Sequence, residues 1–484
     1  MILIVLLLIP GVASALIART RERSTAALIH ICANVAALIV GAIVIGQVYR
    51  SQHEISWNLL RADSLSTFMV GIITFVGAIV GIYAVGYVNV EFDDAHFRRV
   101  RLFYSLFQLF IFTMLFAVTT DNLGVMWVAI EGTTLATVFL VNLHDNHTGL
   151  EAAYKYLILS SVGIAVAFMG TVFMYYAAVA QVSDIGLSWT ALIAVAGRLD
   201  PTIVKLAFVF ILIGYGTKAG LAPMHTWLPD AHSEAPAPIS ALMSGVLLNV
   251  GLYALIRFKA VTDITVGQAF ASAWLMRFGL LSLGLSAAFL ISQRNYKRML
   301  AYSSVEHTGI VALGLGFGGY WGTLGALLHM VNHALSKSML FLLSGNILLK
   351  YRTTEIREIR GLLRAAPLTG YAFLCGILAL IGLPPFGPFV SEFIIFRGGF
   401  ATHSTGYAVT GIALLAVVFA GMLASVNSML YGSPAEPWQS RDPVRWSLAP
   451  VALNILLLLA LGLTLPNGLQ QFLSDILKTV GVSL

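Results

Sequence analysis

His329, His333 and Lys337 stand four residues apart in the stretch LLHMVNHALSKSMLFLLSGN. On a helix that spacing puts all three on one face, each about 6 Å further along the axis. The result is a ladder of basic nitrogens able to pass a proton from one to the next. One histidine in such a run would more often be a satisfied core group, but three titratable groups in register, with Asn332 beside them, point to a proton relay or ion path. Glu306 and His307, in NYKRMLAYSSVEHTGIVALG, lie a short way into another apolar run; they either join the path or mark a membrane interface.

A second constellation centres on Lys218. It follows fourteen nearly pure hydrocarbon residues and precedes Pro223, His225, Asp230, His232 and Glu234 in GTKAGLAPMHTWLPDAHSEAPAP. An ionisable group in mid-span costs about 3 kcal/mol on insertion scales, so it marks a functional site unless it snorkels from a helix end. Pro223 has no N–H and crowds the carbonyl of Ala219, which predicts a helix opened within one residue of the lysine. Glu131, the one acid of LGVMWVAIEGTTLATVFLV, is the expected partner of Lys218. Asp230, His232 and Glu234 read either as an ion entrance or, for Asp230 above all, as a cap for the next helix. In LALIGLPPFGPFVSEFIIF, Pro384, Pro385 and Pro388 break a further helix just before Glu392. Two interrupted segments in comparable halves are the pattern of an inverted-repeat transporter with its path at the breaks.

These residues need helices to position them. The 484 residues are 58% apolar and 10% charged, far from the quarter charged of soluble chains. The chain is therefore an integral membrane protein, and with no barrel-type alternation its spans must be helical. Runs of about 17 or more apolar residues predict fourteen spans, starting near residues 2, 25, 64, 102, 121, 154, 202, 237, 274, 298, 322, 368, 407 and 446. The first is read as a retained span, because it lacks a positive n-region and is followed by Arg19, Arg21 and Arg23. IGLSWTALIAVAGRL and the tail GLQQFLSDILKTVGVSL read as interfacial helices. Odd-numbered loops hold 17 of the 28 lysines and arginines and even ones 8, with only Lys218 and Lys337 inside spans, which places both termini outside.

The net charge of +6 comes from such loops, so no nucleic-acid partner is expected. Cys32 and Cys375 lie apart with no metal or cluster spacing, and no Walker A loop, GxSxG, HExxH or glycine fingerprint occurs; no metal, cofactor or catalytic centre is expected. A polytopic acyl or glycosyl transferase would need a catalytic loop. The longest loops, NVEFDDAHFRRVR and YGSPAEPWQSRDPVRW, offer none.

Taken together, KAGLAPMHTWLPDAHSEAPAPISAL, RNYKRMLAYSSVEH, HMVNHALSKSMLFL and GLPPFGPFVSEF resemble the antiporter-like subunits of the complex I, Mrp antiporter and membrane-bound hydrogenase superfamily. The resemblance runs along nearly the whole chain. It implies fourteen core helices, inverted repeats of helices 4–8 and 9–13, broken helices 7 and 12, and both termini outside. It assigns Glu131, Lys218, the His329–His333–Lys337 relay and Glu392 to the family's proton path. Domain limits follow at 1–101, 102–260, 261–432 and 433–484. In helix 8, Ser244 and Asn249 stand where complex I subunits tend to carry histidine or lysine, leaving Asn249 with hydroxyls and water to bridge. LLN in that helix, SVEH in helix 10 and WVAIEGTTLATVFLV resemble hydrogenase 4 component F and its formate hydrogenlyase relatives.

The function expected is proton translocation in the cytoplasmic (inner) membrane of a prokaryote, within a redox-driven complex carrying hydrogenase-like and formate dehydrogenase-like subunits. Hydrocarbon favours a neutral lysine and an approaching carboxylate a charged one, so charge moving in a neighbouring subunit could load and empty Lys218. The competing reading is a sodium/proton antiporter, complex I or inorganic-carbon uptake subunit of the same fold.

Overall fold

The computed structural model describes residues 1–182, 186–433, 442–443 and 448–482, and nearly all of them are helical. In chain order the helices are α1 (Ile2–Ile17), α2 (Arg23–Ser51), α3 (Ser64–Glu91), α4 (Phe97–Val118), α5 (Leu123–Val141), α6 (His147–Val179), α7 (Trp189–Val195), α8 (Pro201–Ala219), α9 (Trp227–Glu234) and α10 (Ala237–Leu242). They continue as α11 (Leu248–Val266), α12 (Gln268–Leu290), α13 (Tyr296–Phe317), α14 (Gly319–Tyr351), α15 (Leu362–Ala365), α16 (Pro367–Leu380), α17 (Gly387–Ala401), α18 (Thr405–Leu430), α19 (Leu448–Leu463) and α20 (Asn467–Thr479). A π turn, Met243–Leu247, joins α10 to α11 as one run.

Helices stand at each of the fourteen places read from the sequence, but among the described residues only ten are long and apolar enough to cross a membrane, or eleven if the pair α19 and α20, bent by 78°, counts as one. The apolar helices α1 and α16 are shorter than a full span, and α13 carries Lys297, Arg298 and Glu306 in its first half. Helices α7 and α20 stand at the two places read as interfacial, although 183–185 and 483–484 lie outside the described residues. One departure from an all-helical chain is a hairpin between α2 and α3, with β1 (Ile55–Trp57) paired antiparallel to β2 (Leu60–Ala62).

Helix ends follow local chemistry. Asp63, Asn122, Asn146 and Asp200 cap α3, α5, α6 and α8, each accepting a hydrogen bond from an N–H of the first turn. The run Ala237–Val266 is buried up to its last turns and α14 almost throughout, while α18 faces outward; the polar residues ride on the two central elements. Helices approach closely where side chains are smallest. A Cβ on Gly214 would lie 2.4 Å from Ala167 N, which is why α8 can lie directly against α6.

Both breaks differ from the sequence reading. α8 stops at Ala219 because Gly220 adopts the left-handed region, φ +77°, and its N–H and that of Leu221 bond back to Thr217 O and Gly216 O. Pro223 sits beyond that stop, in the connecting turn, and does not open the helix at Ala219. In the second break Gly382, φ +68°, lies in the turn after α16 with Pro384 and Pro385, whereas Pro388 is in the first turn of α17, where its missing N–H costs nothing.

Two cations assigned above to loops are buried, so the division of positives between loops and spans changes. Lys297 is 2% exposed and Arg257 3%. Arg257 forks onto both oxygens of Asp63 at 2.6 Å, reaches Ser66 Oγ at 2.9 Å and lies over the Trp189 ring. Removing one member of such a pair strands the other. Arg257→Leu is expected to destabilise the protein by about 3–5 kcal/mol, read as a lowered unfolding temperature in detergent, with Asp63→Leu in the same chain recovering part of the loss, since Asp63 also caps α3.

Candidate functional site

The titratable residues fall into two clusters. In the first, Glu131 and Thr134 are one turn apart on α5, so both side chains face the same way. Lys218, with none of its surface exposed, occupies the last turn of α8, where a cation meets the negative end of the helix dipole. Its Nζ donates to Thr134 Oγ1 at 2.8 Å and to Tyr156 OH at 3.2 Å, and Thr134 Oγ1 in turn donates to Glu131 Oε2 at 3.1 Å. Ser161 Oγ donates to the other oxygen, Oε1, at 2.5 Å. The expected pairing of Glu131 and Lys218 is thus bridged by a threonine hydroxyl, which can donate to one group while accepting from the other.

The second cluster gathers round α14. His329, His333 and Lys337 share one buried face as the spacing required. The ladder is branched, however, because His307 of α13 inserts beside it: His307 Nδ1 is 2.8 Å from His329 Nε2, and its ring centre is 5.3 Å from that of His333. Lys337 Nζ donates to Leu300 O at 2.9 Å and to Ser303 Oγ, and Glu306 acts on it electrostatically. At the other end His329 Nδ1 lies 2.9 Å from Ser391 Oγ, to which Asn332 Nδ2 also donates at 3.1 Å. Glu392 is one residue along α17, and its side chain points back toward the helix start, over the break. A Cβ on Gly382 would fall 2.3 Å from Glu392 Oε2, so the glycine makes the space that the carboxylate fills.

Of the two alternatives for Glu306 and His307, the structure selects the interior: they are 4% and 1% exposed. His232 is buried against Phe341, ring centres 4.9 Å apart, and feels Lys297 and Lys337 electrostatically, which ties it to the second cluster. His225 packs near Tyr302, 6.1 Å between ring centres, and joins neither cluster. Glu234 accepts from Thr148 Oγ1 at 3.0 Å. Asp230 does not cap the next helix; it pairs with Lys155 at 3.1 Å and Arg298 at 2.7 Å, because it lies within α9 with its side chain among surface cations. Asn249 Nδ2 donates to Gly245 O at 3.1 Å and to Met330 O at 3.2 Å, which ties α11 to the helix of the ladder. Beside it Ser244 Oγ is 2.7 Å from Ser304 Oγ.

The residues that reading by type missed are the hydroxyls, Thr134, Tyr156, Ser161, Ser303 and Ser391, together with Lys297, whose Nζ donates to Ser233 O at 2.8 Å and Ala235 O at 2.7 Å. Thr134 alone carried a signal, its place one turn after Glu131.

A helical membrane protein with two broken segments and lysine-centred clusters in its interior defines a class of ion-handling membrane subunits. Residues 120–420 match the family described as NADH:quinone oxidoreductase/Mrp antiporter, TM, and 50–99 match that described as NADH-Ubiquinone oxidoreductase (complex I), chain 5 N-terminus; the chain belongs to this family of antiporter-like membrane subunits. It is 38% identical over 419 residues to a hydrogenase-4 component F homolog of Methylacidiphilum infernorum, covering 86% of this chain and 87% of the relative. It is 30% identical over 478 residues to NADH-quinone oxidoreductase subunit N of Desulforudis audaxviator, covering 95% and 92%. Among solved structures, a chain of the membrane-bound sulfane sulfur reductase, an archaeal respiratory membrane complex, superimposes with a TM-score of 0.89 at 21% identity, over 99% of this chain and 98% of that one.

The fit of Glu392 to Gly382 has a direct test. Gly382→Ala is expected to destabilise the protein by at least about 1 kcal/mol through the left-handed backbone and further by expelling the carboxylate. Combined with Glu392→Ala the two losses should fall short of additive by more than about 0.5 kcal/mol, measured by unfolding in detergent; strict additivity would separate the two groups.

Proposed function

We propose that the chain is a proton-translocating subunit of a multi-subunit, redox-driven membrane complex of the hydrogenase 4 type. The observation that carries this reading is the interior chain of Glu131, Thr134 and Lys218 on one side and His307, His329, His333, Lys337 and Glu392 on the other. A charged lysine is a donor only and repels a sodium ion, and lysine and histidine both take up and release protons, which favours protons as the coupled ion. The family, and the 38% likeness to a hydrogenase-4 component F homolog, support partners drawn from a redox complex.

On this reading α8–α9 and α16–α17 are the broken helices of two inverted repeats, at 102–260 and 261–432, in a fourteen-span architecture. Residues 1–101 precede the repeats and 433–484 follow them. The protein sits in a prokaryotic inner membrane with both termini outside. When Glu131 is ionised it steadies a charged Lys218 through Thr134; when charge in a neighbouring subunit draws Glu131 off, the buried lysine gives up its proton. The proton then has basic nitrogens on α13 and α14 to receive it, ending at Glu392.

Lys218→Met is expected to abolish proton uptake by sealed vesicles carrying the complex while the subunits still co-purify; unimpaired uptake overturns the assignment. Thr134→Val, which keeps the shape and deletes the bridging hydroxyl, should slow uptake about tenfold, the weight of a hydrogen bond to a charged group. Thr134→Ser should restore most of the rate.

A further inference from the structure

His307, His329 and Glu392 each bring one ligand atom within 4.8 Å of the other two. His307 Nδ1 and His329 Nε2 face each other at 2.8 Å, and the hydrogen bond that His329 Nδ1–H donates to Ser391 Oγ, whose own proton goes to Pro388 O, fixes which edge of that ring points inward. Such a hydrogen bond on the outer nitrogen is what metal-binding histidines use for orientation. Beside the triad Asn332 Oδ1 and His333 Nε2, both fully buried, make no hydrogen bond among the described residues.

We propose that these three side chains form a binding site for one divalent transition-metal ion of the zinc type. His307 and His329 supply their facing nitrogens, Glu392 a carboxylate oxygen, and water the fourth position. Two imidazoles and one carboxylate are a borderline set that suits Zn²⁺; Mg²⁺ and Ca²⁺ take oxygen cages. For both rings to present lone pairs, the proton they share moves to the outer Nε2 of His307, and both imidazoles stay neutral. Zinc bonds of about 2.0–2.2 Å place tetrahedral donors a little over 3 Å apart, so the carboxylate closes in slightly while the rings part. Glu392 is only half-buried and is the side from which the ion arrives. A bound ion would occupy the nitrogens proposed above as proton carriers and so plug the path, a consequence that rests on that reading.

The complex, purified in mild detergent, is incubated with ZnCl2 or CoCl2, desalted and assayed for metal by mass spectrometry, with the visible spectrum of cobalt reporting geometry. One zinc per chain and an intense tetrahedral cobalt band are expected. His329→Gln and Glu392→Gln should each lower retention at least tenfold at unchanged unfolding temperature, while His144→Gln, at the half-exposed histidine near Glu91, leaves it intact. Retention unchanged in the triad variants, no stoichiometric zinc, or full displacement by Mg²⁺ overturns the proposal. Because the readout is bound metal, its failure leaves the proton-path assignment standing, and failure of Lys218→Met to stop uptake leaves the metal site standing.

Discussion

An ammonium group removed from water must find its solvent in the protein, and Lys218 finds it in two hydroxyls. Thr134 and Tyr156 accept from its Nζ, and Tyr156 is itself tied to Thr137 at 2.8 Å, so the cation is surrounded by groups that are already held. Much of the first half of the fold serves that arrangement. α8 ends one residue after the lysine, which exposes Nζ to the carbonyl end of the helix, and the contact of Gly214 with Ala167 brings α6, the carrier of Tyr156, within reach. A full ion pair would have locked the lysine in its charged form. A hydroxyl between it and Glu131 couples the two more weakly, which suits the change of protonation proposed for the lysine.

The second half applies the same rule with more members. α14 is buried along nearly its whole length, so its polar face cannot be served by solvent and has to be met by α13 and α17. Serines do most of that work: Ser303 for Lys337, Ser391 for His329 and Asn332. Glycines set the distances, Gly382 leaving room for the Glu392 carboxylate and Gly387 for Asn332, whose Oδ1 lies 2.3 Å from where a Cβ would stand. Both breaks are stopped or turned by a glycine in the left-handed region, with the prolines in the turns or in the first turn of the following helix.

What could be read in the chain itself was whatever depends on covalent geometry or on the cost of charge in hydrocarbon. The period of 3.6 put His329, His333 and Lys337 on one face, and the expense of burying charge singled out Glu131, Lys218 and Glu392. Partners were out of reach, because Ser and Thr are common and a hydrogen bond over 84 residues, such as Lys218 to Thr134, leaves no local trace. Arg257 shows the same limit: near the end of an apolar run it looks like a topology-setting loop cation, and only Asp63, 194 residues earlier, makes it a core residue. Pro223 misled in the opposite direction, since a strong breaker drew attention from Gly220, which makes the stop.

The join between the clusters is where this chain parts most from a charge relay. Asn249 and Ser244, residues of the α10–α11 run that face α13 and α14, are neutral, and the π turn at Met243–Leu247, which holds Ser244, loosens the regular backbone ladder. A lysine here would repel both Lys218 and Lys337 and make their charge states depend on its own. The Ser244–Ser304 pair imposes no such field, and its O–H direction can reverse when Ser304 turns its proton from Leu300 O to Ser244 Oγ. On the proposed reading, a neutral link of this kind would let the first cluster load and empty without forcing the second to follow at once, and obligatory coupling between them would have to be imposed by charge arriving from outside the chain.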